Sequence, residues 1–162
     1  MTKSLIYHYF SDKRRLWLAV REASVAVYAV RQRAVFSSTE TEPTGKGVAA
    51  SAAAYFSFLQ KQPDIARMFA LESFDGDFEP GDIEQELQAS GIAFVKKLQS
   101  SGGIRADLDA GILLAAFNAL IEHWFISQER VAKLNKKRKG PSLDADYLDA
   151  IQKILSSGLR PL

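Results

Sequence analysis

Thr2, Lys3, Ser4, Tyr7 and His8 share one short N-terminal segment, and Lys13 follows shortly after it. Short hydroxyls, a lysine and a histidine are side chains that hydrogen-bond base edges and phosphates, and a tyrosine hydroxyl donates readily to a phosphate oxygen. Lys13 opens a long helix, where free backbone N–H groups and its own charge both favour an anion. Catalytic chemistry finds no such grouping. His8 and His123 fall in different elements, cysteine is absent, and neither a metal-ligand spacing nor a glycine-rich phosphate loop occurs. No catalytic residue, no metal site and no cofactor is expected, and the chain is not read as an enzyme. The stretch Asp75 to Glu86 has oxygen ligands at the first, third, fifth and twelfth positions of a calcium loop. Pro80 stands where that loop needs glycine and Asp82 where it needs an aliphatic residue, so the stretch reads as a loop and a cap.

These groups must be carried by helices. Ser11 and Asp12 break the first, short helix and supply the N-cap of the next. Leu16, Val20, Ala23, Val27, Val30 and Ala34 recur at alternating spacings of four and three, one stripe of a long helix from which Arg14, Arg15, Arg21 and Arg33 fall away. Val48, Ala52, Tyr55, Phe56 and Leu59 give a second body helix, and Pro63 restarts the chain at a first-turn position. Asp82 can cap a helix carrying Ile83, Leu87, Phe94, Val95 and Leu98, which Gly102 and Gly103 stop. Asp109 can cap a helix from Ala110 to about Lys133. The last helix is expected to start near Leu143 or Asp144 and to end at Gly158. No segment alternates with period two long enough to be a strand, so the expectation is an all-α fold of about seven helices.

Composition sets the bounds. A chain of 162 residues, 47% hydrophobic and 25% charged, is one soluble globular domain by size and balance. The net charge of +2 hides an uneven distribution. Residues 1–36 carry seven basic side chains against Asp12 and Glu22, whereas residues 37–131 carry seven against fourteen acidic ones. A basic start on an acidic body suits a nucleic-acid-facing end, and chance clustering of solvated charges is the alternative. The basic run Leu134 to Gly140 reads as a solvated loop. The absence of cysteine fits a reducing cytoplasm, and no signal peptide is evident. The apolar stretch Ala110 to Ile126, interrupted by Asn118, Glu122 and His123, reads as too short and too polar to cross a bilayer, so no membrane partner is expected.

The order of a small polar cap, an aliphatic residue, Tyr7, the pair Tyr9-Phe10, a two-residue break and Lys13 resembles the end of the helix-turn-helix in TetR-type transcriptional regulators. The resemblance covers residues 2–20 in detail and the rest in architecture only. It implies that Thr2, Lys3, Ser4, Tyr7, His8 and Lys13 face DNA, with Tyr7 and Lys13 on phosphates and Thr2 to Ser4 near the bases. The family places two further helices ahead of this point, so the resemblance implies a regulator truncated within its DNA-binding domain. Residues 1–12 would be the remnant of the helix-turn-helix, and residues 13–162 a ligand-binding and dimerisation domain.

The helix from Ala110 to Lys133 is apolar over more than half its circumference, which calls for two partners. Phe117, Leu120 and Trp124 on it, with Leu148, Ile151 and Leu155 on the last helix, are the expected homodimer interface, a four-helix arrangement that the resemblance also implies. A central helix buried in a monomer is the alternative. Tyr55, Phe56, Phe58, Phe69, Phe74, Phe94, Phe117 and Trp124 are spread over helices expected to surround one interior. Such aromatics are commonly plain core. By the resemblance, Phe56, Met68, Phe69, Glu72, Phe94, Phe117 and Ile121 would line a cavity for a small apolar or amphipathic effector, with Glu72, Asn118 and His123 as orienting polar groups. The expected function is a TetR-like regulator, a repressor, whose grip on a duplex DNA operator is released by the effector. The alternative is a dimeric ligand-binding module that has lost DNA binding through N-terminal truncation.

Overall fold

The computed structural model describes residues 9–38, 45–75, 79–136 and 140–161, and within them the chain is all-α. Six helices follow one another: α1 (Lys13–Ser38), α2 (Gly45–Lys61), α3 (Pro63–Asp75), α4 (Asp82–Ser100), α5 (Ala110–Leu134) and α6 (Pro141–Gly158). Tyr9 and Phe10 are helical just before the break at Ser11 and Asp12, and Thr2, Lys3, Ser4, Tyr7 and His8 lie outside the described residues.

Local chemistry sets most of these boundaries. Asp12 Oδ1 accepts the Arg15 backbone N–H at 2.8 Å, closing the first turn of α1, and that bond holds the Asp12 carboxyl below the usual carboxylate range. Pro63 stands at the first position of α3, where its missing N–H has no function. Asp109 Oδ1 accepts the Ile112 N–H at 2.9 Å at the head of α5. Two expected starts are corrected. Helix α4 is capped by Gly81, not Asp82, because the Glu84 carboxylate reaches back to the Gly81 N–H at 3.0 Å. Helix α6 begins at Pro141 and not near Leu143 or Asp144. Asp144 instead sits inside the first turns and accepts from Trp124 Nε1 at 3.0 Å, Gln128 Nε2 at 3.1 Å and Gln60 Nε2 at 3.0 Å.

Helix α2 is the middle of the body and touches α1, α3, α5 and α6. Its Ala52 and Leu59, with Ile121 of α5, are fully enclosed. Helix α6 packs mainly on α2; its link to α5 runs through its first turns, where Tyr147 stacks on Trp124 at 4.0 Å and donates to the Leu120 carbonyl at 2.7 Å. Helix α5 runs 25 residues, longer than the apolar stretch read from sequence. By length and composition it is long and apolar enough to cross a membrane, which corrects the sequence reading; here it packs against α2, α3 and α4.

The largest departure from the sequence reading is the face that α1 turns inward. The regular stripe is solvent-facing: Val20, Val27 and Val30 are exposed, Val30 to 68%. The buried side is instead Arg21, Val25, Tyr28, Ala29 and Gln32, with Trp17 and Phe36 half-buried at either end. Three aromatic rings on that side bring far more apolar area than a row of valines and alanines, and they carry Arg21 inward with them. Arg21 is 2% exposed. Its guanidinium donates to Glu72 Oε1 at 2.7 Å, to Glu84 Oε2 at 2.6 Å and to the Glu79 carbonyl at 2.6 Å. Trp17 Nε1 donates to the same Glu72 oxygen at 2.7 Å. One cation therefore joins α1, α3 and the head of α4.

Replacing Arg21 by Met should lower the unfolding free energy by about 3–5 kcal/mol, because it leaves two enclosed carboxylates without their cation. Adding Glu72→Gln and Glu84→Gln should recover most of that loss. Urea unfolding of the single and triple variants measures both, and an unchanged midpoint for the single variant would show that the cluster does not seat α1.

Candidate functional site

An apolar cavity opens between α1, α2, α4, α5 and α6, with about 420 Å3 of space unfilled by atoms, part of it continuous with solvent. Its walls come from four separate devices. Helices α4 and α5 cross closely at Gly91, where an added Cβ would stand 2.8 Å from Leu114 Cδ2. The end of α1 closes one side, with Phe36 stacked on Phe94 at 4.7 Å. After α4, Gly102 takes the left-handed conformation (φ +73°), and the N–H groups of Gly103 and Ile104 return to the Leu98 carbonyl. That turn drives Ile104 into the wall. Leu155 of the last helix and Leu159 just past its end complete the floor, held by the Arg105 N–H donating to the Leu159 carbonyl at 2.9 Å. Beyond Val48, Ile104, Leu155 and Leu159 lies an outer pocket with about 390 Å3 of unfilled space, also part open to solvent, that meets Gly103, Ser156 and Arg160.

Ser51 is the one hydroxyl in the cavity wall. Gln32, buried one turn before Phe36 on the same face of α1, donates its amide N–H to Ser51 Oγ. The Gln32 carbonyl oxygen is enclosed and has no hydrogen-bond partner among the described residues.

Of the seven residues expected to line an effector site, Phe94 and Phe117 face this cavity. Phe56, Met68 and Ile121 are core residues elsewhere, Phe56 packing with its ring tilted against Phe125 at 4.9 Å, and Phe69 packs half-buried against the core. Glu72 holds Arg21 and Trp17 and is no part of the wall. Asn118 is half-buried and His123 exposed, and neither reaches the cavity. Phe36, Val48, Ile104 and Leu159 were not anticipated, because residues far apart in sequence bring the wall together. Gly91, inside a strongly helical run, was the readable sign of a close crossing.

The expected interface residues divide in the same way. Trp124, Ile151, Phe117 and Leu155 face the interior of their own chain, and Leu148 is half-buried against that core. Leu120 is 39% exposed. The large apolar side chains left exposed on these two helices are Ile112, Leu120, Ile126 and Leu134 of α5 and Ile154 of α6. Lys13 is exposed at the head of α1. Among the described residues no group of histidine and carboxylate side chains is placed to hold a metal ion.

A second polar cluster lies beside the core. Tyr28 packs against Tyr55 at 5.0 Å and against Phe58 at 4.9 Å, and the Tyr55 hydroxyl donates to Glu122 Oε1. Burial raises both tyrosines above their ordinary range, with Glu122 adding to the shift, so both stay neutral. Burial also pushes the Glu122 carboxyl above its ordinary 4.5, partly opposed by the Tyr55 hydrogen bond. Between 4.5 and that raised folded value, the native chain keeps a proton that the unfolded chain has released, so stability falls as pH rises through the window. Glu122→Gln keeps an acceptor for Tyr55 and removes the titration. It should raise the melting temperature at neutral pH and flatten its decline above pH 4.5 in a series of thermal melts. An unaltered pH profile would assign that decline to another group.

No protein-family model matches the chain, and no curated protein matches it.

Proposed function

We propose that the chain is the effector-binding and dimerising body of a TetR-like transcriptional regulator, with α1 as the lever between its ligand and DNA. The observation that carries this reading is the span of α1. Its far end, Phe36, is part of the cavity wall, and its near end, Lys13, is an exposed cation directly after the segment that resembles a recognition helix. Its 26 residues bridge about 39 Å as one helix. A ligand that displaces Phe36 therefore acts on the position of Lys13, and differential binding to two seatings of α1 is what effector control of DNA binding requires. The basic balance of residues 1–36 supports phosphate contact at that end. Ile112, Leu120, Ile126 and Ile154 support a two-fold partner on α5 and α6.

Two measurements test the reading. The chain, alone and extended by any in-frame sequence found ahead of Met1, is offered a pool of random duplexes. The extended form should select a palindrome with half-site centres about 34 Å apart, and Lys13→Ala should weaken it on all sequences alike. Selection of no sequence by either form would defeat the DNA-binding claim. In sedimentation, the chain should run as a dimer at micromolar concentration and Leu120→Glu as a monomer, since the new carboxylate would be buried unpaired at the interface. A wild-type monomer would remove the dimer from the proposal.

A further inference from the structure

We propose that the outer side of α1 docks against the same helix of a second copy of this chain, the two lying antiparallel about a two-fold axis at the level of Val25. The surface is on a different helix from the α5–α6 contact and does not depend on it.

Lys13, Leu16, Val20, Ala23, Val27, Val30, Ala34 and Ser37 follow one another at alternating spacings of three and four along the whole of α1. A seam kept to that seven-residue repeat argues for pairing with another helix. The chain's own core does not use it. Arg21, Val25, Tyr28, Ala29 and Gln32, which α1 buries, stand on the opposite side of the same repeat, whereas Val20, Val27 and Val30 are exposed.

Two properties of the seam select its own copy, reversed. The first is that it reads the same from either end. Turned about position 25, Leu16 meets the partner's Ala34, Val20 the partner's Val30 and Ala23 the partner's Val27, so no layer pairs two alanines. In parallel register Ala23 and Ala34 would each face themselves and leave gaps, and Lys13 would face the partner's Lys13. The second property is charge. The first turn of α1 holds Lys13, Arg14 and Arg15 with no acid, and the last turn holds no base, the reverse of what the helix dipole favours at each end. Antiparallel docking sets Lys13 beside the partner's Ser37, against the open carbonyls of the partner's last turn. Each copy supplies the cation that the other lacks. The contact is one narrow helix face, so it belongs to the weak class, with a dissociation constant of roughly 100 micromolar.

The chain contains no cysteine, so introduced thiols report the pairing directly. Equal amounts of a Val20→Cys chain and a size-tagged Val30→Cys chain, both altered at exposed positions, are mixed in a glutathione redox buffer and separated on non-reducing gels. Antiparallel docking puts position 20 opposite the partner's position 30. It holds the two copies of position 20 about 15 Å apart along the axis, beyond disulfide reach. The mixed disulfide should form about tenfold faster than either like pair, and faster than that of a Lys61→Cys control at an exposed site off the seam. Val27→Asp in both chains should abolish the excess and leave the melting temperature unchanged. In sedimentation at several hundred micromolar, Leu120→Glu should run partly as a dimer, and the double variant with Val27→Asp as a monomer. Like pairs at position 20 forming fastest, as parallel helices would give, would overturn the proposal. So would a mixed disulfide no faster than the control, or sedimentation indifferent to Val27→Asp, and the seam would then serve a different partner. A wild-type monomer at micromolar concentration removes the α5–α6 dimer without touching this test.

Discussion

The rotational setting of α1 is the constraint on which the rest of the body depends, and the Arg21 guanidinium fixes it. The helix has two apolar faces to choose from. Placing Arg21 inward obliges Glu72 of α3 and Glu84 of α4 to meet it, and those contacts admit one rotation and one axial position of α1. The general experience with enclosed ion pairs is that they add little net stability, because desolvation offsets their attraction, while loss of one partner is costly. The cluster is therefore better understood as fixing register. With Arg21 inward, Val25, Tyr28 and Gln32 follow it along the same side, and Phe36 arrives at Phe94. The valines at 20, 27 and 30 are left in solvent as the consequence.

Glu84 has a second task that ties this register to the neighbouring helix. The same Oε2 that receives Arg21 also caps the Gly81 N–H at the start of α4. The head of α4 and the near half of α1 are thus positioned by one carboxylate. Further along, α4 crosses α5 at Gly91 and contributes Phe94 and Val95 to the cavity. A displacement of α1 at the Arg21 end would loosen the cap of the helix that walls the cavity, and a displacement at the cavity end would strain the ion pairs. The Arg21 cluster and the cavity are thus joined by rigid elements that share a few polar atoms.

What the sequence revealed, and what it hid, follows from the range of the interactions concerned. The all-α class and the starts of α1, α3 and α5 were legible, because Asp12, Pro63 and Asp109 act within a few residues of themselves. The starts of α4 and α6 were displaced where a second candidate competed: Glu84 reaching back to Gly81, and Pro141 preceding Asp144. The inward face of α1 was misread because periodicity weighs apolar type and not area. Six small residues in perfect register look better than Trp17, Tyr28 and Phe36 interrupted by an arginine and a glutamine. Only the carboxylates of α3 and α4, about fifty residues and more away, make that arginine admissible. Phe94 and Phe117 were found among the cavity residues by being aromatic on core helices. Ile104 and Leu159 depend on a glycine turn and a carbonyl across the chain, which no local pattern carries.

The incompleteness of the polar contacts along α1 bears on which element can move. Both enclosed side-chain atoms left without a partner among the described residues, Glu72 Oε2 and Gln32 Oε1, belong to contacts that seat this helix. One lies toward the Lys13 end, where Arg21 and Trp17 both use the other Glu72 oxygen, and one lies beside the cavity. An enclosed polar atom left unpaired costs about 1–3 kcal/mol, so the present seating of α1 is held less firmly than its contacts alone would give. The α5–α6 contact is satisfied by comparison, since Asp144 receives three donors and the Tyr147 hydroxyl finds a carbonyl. Motion concentrates where contacts are least satisfied. The helix that joins the cavity to the basic N-terminal end is thus the one whose polar contacts are least complete among the described residues.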